Sequence, residues 1–135
     1  MKITLCYSMQ YAEKAQEAKE WLDAHGHEAF VSASNAQYVG LSDEDKEALK
    51  LEHKYGHDAI RKHYELIKDS DAILVLNYEK HSVPGYIGGN AFLEMGFAHV
   101  LHKKIYLLHP IPEMGYTTEI IAMQPILLEG KLENL

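Results

Sequence analysis

Cysteine is almost absent: Cys6 is the only one in 135 residues, so no disulfide framework holds this chain together. It sits in the apolar run Ile3-Thr4-Leu5-Cys6 and reads as a core filler rather than a reactive thiol. Long apolar stretches are also missing. No segment approaches the roughly 20 residues needed to cross a bilayer, and the first residues lack the apolar region of a secretory signal. The cytoplasm is therefore the expected location, with no membrane contact. Basic blocks are missing too: 13 Lys and Arg face 20 Asp and Glu, a net charge of −7, which argues against a nucleic-acid groove. There is no internal repeat or low-complexity tract. What is present is a chain of ordinary domain size, 47% apolar, able to bury one core, so residues 1–135 read as a single domain. A small polar or anionic ligand remains open, because local donors decide that question.

Strand-like and helix-like segments alternate. Residues 2–7 form a short apolar run suited to a buried strand. Residues 10–25 carry Ala15, Ala18, Trp21 and Leu22 at helical spacing, with Gly26 as a stop. Residues 28–32 predict a second strand and 33–41 a loop. Ser42 then opens a charged helical stretch, with Asp43, Glu44 and Asp45 in its first turn, where the helix dipole favours them. That stretch runs to about residue 68, and Gly56 allows it to be two helices. Ala59, Ile60, His63, Tyr64 and Ile67 mark one buried face.

Residues 71–77 predict the clearest strand, apolar on both faces as in a central parallel strand. A polar loop over 78–89 follows. Asn90 is a candidate cap for a helix over 91–102. Further segments are a strand over 104–108, a short helix over 117–123, a short strand over 126–128 and a tail over 132–135. This order implies an α/β fold: a three-layer, doubly wound, Rossmann-like or flavodoxin-like five-stranded parallel sheet of order 2-1-3-4-5.

In such a sheet ligands bind beyond the carboxyl ends of the strands, at the point where strand order reverses. Here that places the loop Tyr7-Ser8-Met9-Gln10 beside residues 77–90. In the turn Gly88-Gly89-Asn90 backbone N–H groups can approach a ligand freely, and a helix starts there; a plain flexible connector is the alternative. That helix is apolar on nearly every side, and Glu94 is its only charged residue over 91–101. An unpaired buried carboxylate is costly, so it either serves the ligand site or emerges on a narrow solvent stripe. Asn77, at a strand's carboxyl end, is a candidate for hydrogen bonding a base or sugar. Asp71 reads as a turn residue or a functional one, and His109 and Pro110 are noted only for their position after a strand.

The segment Ser70 through Asn77, the glycine-bearing loop, Glu94-Met95-Gly96-Phe97-Ala98 and Lys103-Lys104-Ile105-Tyr106-Leu107-Leu108 together resemble the nucleoside 2-deoxyribosyltransferase superfamily. That superfamily includes deoxynucleoside 5'-monophosphate N-glycosidases. The similarity is greatest to a branch with the loop sequence Tyr86-Ile87-Gly88-Gly89-Asn90. The resemblance implies that Glu94 is the nucleophile, attacking the anomeric carbon of a deoxyribose. Taken with the switch-point position, substrate contacts are expected from Tyr7, Ser8, Met9, Asn77, Gly88, Gly89 and Asn90, with no cofactor or metal. The resemblance also implies a homodimer or higher homo-oligomer in which Tyr116, Thr118 and Glu119 reach a neighbouring subunit's site. Three positions depart from the family pattern. His63 stands where an acidic residue is usual, and is the candidate proton donor, with plain packing or ligand binding as the alternatives. Gly88 replaces an Asp or Ser, and Thr4 is the nearest equivalent to a Tyr that holds the nucleophile.

Nine histidines invite a metal reading. His53 and His57, and His99 and His102, have helical spacing but no evident third ligand, and solvated helix surface is the expectation. Two functions remain in play. One is an N-glycosidase or deoxyribosyltransferase on a nucleoside or nucleoside 5'-monophosphate. The other is a non-catalytic nucleotide-binding or sensor module. A structural adaptor is the third and weakest alternative.

Overall fold

A computed structural model describes residues 1–56 and 58–135. The elements are β1 (Lys2–Cys6), α1 (Ala12–Ala24), β2 (Glu28–Phe30), α2 (Asn35–Tyr38), α3 (Asp43–Gly56), α4 (Ala59–Lys68), β3 (Ala72–Val75), α5 (Gly89–Val100), β4 (Lys104–Leu107), α6 (Thr117–Ala122) and β5 (Ile126–Leu127). Single 3₁₀ turns occupy Met9–Tyr11 and Leu132–Asn134. The sheet has five parallel strands in the order β2-β1-β3-β4-β5, with helices on both faces. The doubly wound expectation therefore holds. No helix among the described residues is long and apolar enough to cross a membrane.

The side chains explain the layering. All four residues of β3 are buried, as a central strand covered on both faces requires. Alternation along β1 and into the residue after it divides the neighbours: Ile3, Leu5 and Tyr7 join the core under α1, while Cys6 joins the core with Ile67 of α4 and Met95 of α5. Ala91, Met95 and Ala98 form the buried stripe of α5 at helical spacing. At the start of α3 the Ser42 hydroxyl accepts a hydrogen bond from the Asp45 N–H at 3.1 Å, satisfying one free donor of the first turn. Gly26 ends α1 with φ +89°, a conformation that glycine adopts without strain.

Several expectations need correction. The 33–41 segment contains α2, because tertiary contacts capture it. Asn35 is buried, and its amide donates to the Ala12 carbonyl at 3.1 Å. Ile60 is 40% exposed rather than buried on the α4 face. The helix after the glycine turn begins at Gly89, with Gly88 as its cap, and Asn90 lies exposed in its first turn. Asn90 is therefore not the cap. The division at Gly56 did produce two helices.

Candidate functional site

A cavity of about 550 Å³ opens at the carboxyl edge of the sheet, where β1 and β3 diverge. Its floor is formed by the ends of those strands, one wall by α4 and the start of α5, and the opposite wall by α3 and the turn after β1. Tyr7, Ser8, Met9, His63, Gly88, Gly89, Asn90 and Glu94 all lie on its lining.

Glu94 occupies the second turn of α5, with its side chain 13% exposed. One carboxylate oxygen lies 2.7 Å from Nε2 of His63, which comes from the middle of α4 and is 12% exposed. The same Nε2 lies 3.1 Å from the Leu5 carbonyl. A single N–H thus serves both a carboxylate and a backbone acceptor. Burial alone would depress the His63 pKa, but the Glu94 charge, its hydrogen bond and the Leu5 carbonyl outweigh it and hold the imidazole above its usual range. The result is a carboxylate with an imidazole partner on one side and the cavity on the other.

Cys6 stands behind this pair. Its Sγ is 3.8 Å from His63 Nε2, and Cys6, His63 and Glu94 bring one ligand atom each within 4.8 Å of one another. Burial, reinforced by the Glu94 charge, pushes the thiol pKa well above its normal value. The core-filler reading of Cys6 is right about burial but misses this neighbourhood. The missed signal was period-two alternation, which puts Thr4 and Cys6 on one face of β1. Thr4, the nearest equivalent of a nucleophile-holding Tyr, instead pairs with the Ser70 hydroxyl at 2.7 Å. The β1 residue that faces Glu94 is Cys6.

Two predicted contacts are committed elsewhere. Asn77 is 1% exposed and lies off the cavity lining. Its amide donates to the carbonyls of Gly85, His109 and Pro110 at 3.2, 3.0 and 3.3 Å, and its oxygen accepts the His109 N–H at 2.9 Å. These bonds clamp the loop before α5 to the loop after β4. Gly85 belongs to that clamp: at φ +69° a Cβ there would meet the Pro110 carbonyl at 2.5 Å. Tyr7 reaches the lining, yet its hydroxyl donates to Asn35 at 2.6 Å and accepts the Ser32 N–H at 3.2 Å. Asp71 is a turn residue that accepts the Lys2 N–H at 2.8 Å.

Other cavity residues escaped the sequence reading. Lys50 and Lys54 of α3 and Lys80 of the loop after β3 line the cavity with Glu47. Lys80 approaches the Ser8 hydroxyl at 3.3 Å, and burial followed by the nearby Lys50 charge lowers its pKa. Lys46, Lys50 and Lys54 recur every four residues, a stripe the sequence displayed. His53 is not solvated helix surface: it is buried against the Tyr38 hydroxyl at 2.9 Å. Its proposed companion His57 lies outside the described residues. His99 and His102 are exposed.

Tyr116, Thr118 and Glu119 lie away from the cavity lining. The Tyr116 hydroxyl donates to the Ile87 carbonyl, and its ring stacks on Phe92 with centroids 4.3 Å apart. Thr118 and Glu119 are exposed and hydrogen bond to each other at 2.9 Å.

Neither a protein-family model nor a curated protein sequence matches the chain. Among solved structures, the CMP N-glycosidase BcmB of Clostridium botulinum is similar, with 19% identity over 94% of this chain and 85% of that one and a TM-score of 0.51. That likeness is one of fold.

Proposed function

We propose that the chain cleaves the N-glycosidic bond of a nucleoside or nucleoside 5'-monophosphate through a covalent Glu94 intermediate. The observation that carries this reading is the placement of Glu94: a partly buried carboxylate beside an imidazole, on the wall of a cavity at the switch point. A CMP N-glycosidase with the same fold supports the substrate class.

In the first step a Glu94 oxygen attacks the anomeric carbon from below the ring. The C–N bond breaks, and its electron pair leaves with the base, which takes up a proton. In the second step water, or the nitrogen of another base, attacks the same carbon and releases the carboxylate, so configuration is retained overall. His63 has its Nε2 proton committed to Glu94 and Leu5. Its role in this scheme is to hold the nucleophile in position, and the departing base draws its proton from solvent or another wall residue. A second copy of the chain, meeting the first through the exposed Thr118 and Glu119, is part of the same proposal; Tyr116 is held within its own subunit.

The commitment of the His63 proton also favours a second reading, nucleotide binding without turnover. One experiment separates them. Purified protein is incubated with a panel of ribo- and deoxyribonucleosides and their 5'-monophosphates, and free base is followed by chromatography. Base release that disappears in Glu94→Ala supports catalysis. Calorimetric binding without release supports the sensor reading.

A further inference from the structure

We propose that Cys6, His63 and Glu94 form a binding site for a zinc-class divalent metal ion, with a fourth coordination position open to the cavity. Among the described residues, this is the group in which three ligand side chains converge. They supply sulfur, imidazole nitrogen and carboxylate oxygen, a set that suits zinc and its transition-metal neighbours. Hard cations such as magnesium and calcium demand more oxygen ligands than the group offers.

The spacing is close to what a tetrahedral ion needs. Bonds of about 2.0 Å to nitrogen and oxygen and about 2.3 Å to sulfur place tetrahedral ligand atoms roughly 3.3–3.6 Å apart. The observed N–O separation of 2.7 Å and S–N separation of 3.8 Å bracket that range. Small side-chain rotations, opening the first and closing the second, would admit the ion. The three donors stand on β1, α4 and α5, so regular elements hold them. Ile67, Ile73, Val75 and Met95 belong to the same core cluster as Cys6 and keep the inner side of the site dry. His63 and Glu94 line the cavity and provide the entry path, while Cys6 closes the back.

Metal binding needs the thiolate and a free Nε2 lone pair. The Cys6 thiol proton leaves to solvent, and Nε2 gives up its N–H, with the remaining imidazole proton on Nδ1. The Leu5 carbonyl loses its side-chain donor. The Glu94 carboxylate becomes a ligand and, on the glycosidase reading, is withdrawn from attack, so the metal would act as a reversible inhibitor. That last consequence rests on the proposed function; the site itself does not.

The test is cobalt and zinc titration of the full chain after removal of metals with a chelator. We expect one equivalent of Co²⁺ to bind with a thiolate-to-cobalt charge-transfer band and the strong visible bands of a four-coordinate ion, and Zn²⁺ to displace it. Cys6→Ser should abolish the charge-transfer band. It should also weaken Zn²⁺ at least as much as the roughly tenfold or more lost when outer-shell partners are removed. His63→Gln should lose the four-coordinate spectrum in folded protein, as judged by circular dichroism, which covers the case that Cys6→Ser does not fold. His99→Gln, altered on the exposed end of α5, should match wild type. Absence of a thiolate band in wild type, or equal Zn²⁺ affinity in wild type and Cys6→Ser, overturns the proposal. The readout needs no turnover, so its failure leaves the glycosidase reading standing, and an inactive protein leaves the metal site standing.

Discussion

The last residue of β1 and the one after it feed two polar networks with opposite characters. Tyr7 turns toward α1 and α2, where its hydroxyl both donates and accepts and Asn35 ties it to the backbone of α1. Cys6 turns toward α4 and α5, where His63 and Glu94 meet beside open space. The first network is saturated, and each member fixes another, so its contribution is to the fold. In the second, a carboxylate keeps an open side, and low exposure strengthens every charge interaction it makes. The comparison teaches that proximity to the cavity is not enough to single out a candidate group; whether its hydrogen bonds are already spent matters as much.

Substitutions can break that contrast. On the glycosidase reading the largest effect is expected for Glu94→Gln, which should lower base release by roughly 10⁶-fold, the scale seen when a nucleophile is lost, while leaving the thermal unfolding transition cooperative. Asn77→Ala strips four hydrogen bonds from a buried clamp. It should cost about 2–3 kcal/mol in denaturant unfolding, since buried partners are left unpaired. Tyr7→Phe removes only a hydroxyl and should cost about 1 kcal/mol, with turnover kept within a few-fold of wild type. If Tyr7→Phe abolished base release while the fold persisted, the division between the two networks would be wrong.

The smallest effect concerns the ion pair that links α1 to α3. Lys46 is 5% exposed and lies 2.7 Å from Glu13. The hydrogen bond from Lys46, then the Gly40 N–H, lower the Glu13 pKa from 4.5 to about 2. A depressed carboxyl pKa stabilises the fold above about pH 4.5, and that contribution is lost as pH falls toward 2. Glu13 is 43% exposed, so solvent screens the pair and the effect is small. The stability gap between wild type and Lys46→Met, followed by urea midpoint, should therefore narrow as pH is lowered through that window. A gap independent of pH would mean that Lys46 acts by packing alone.

The sheet order and most element positions were legible because the hydrophobic code there is simple. Residues 72–75 are apolar on both faces and become the central strand, and Gly26 stops α1 where it stands. Glu94 was legible for a related reason, as the one charge in an apolar helix. The loop clamp made by Asn77 was not legible, because position at a strand end says nothing about which partners an amide already has. Helix α2 was missed because it forms around Asn35, whose partners Tyr7 and Ala12 are distant in sequence. Pairing between Cys6 and His63 spans 57 residues and depends on the register of β1 against α4, which no local pattern encodes.

The outermost strands are stubs, three residues in β2 and two in β5. Each exposes too few free amides and carbonyls for another chain to zip alongside, so the protein is guarded against runaway β-aggregation. Edge-to-edge pairing of two sheets is correspondingly the least favoured route to self-association.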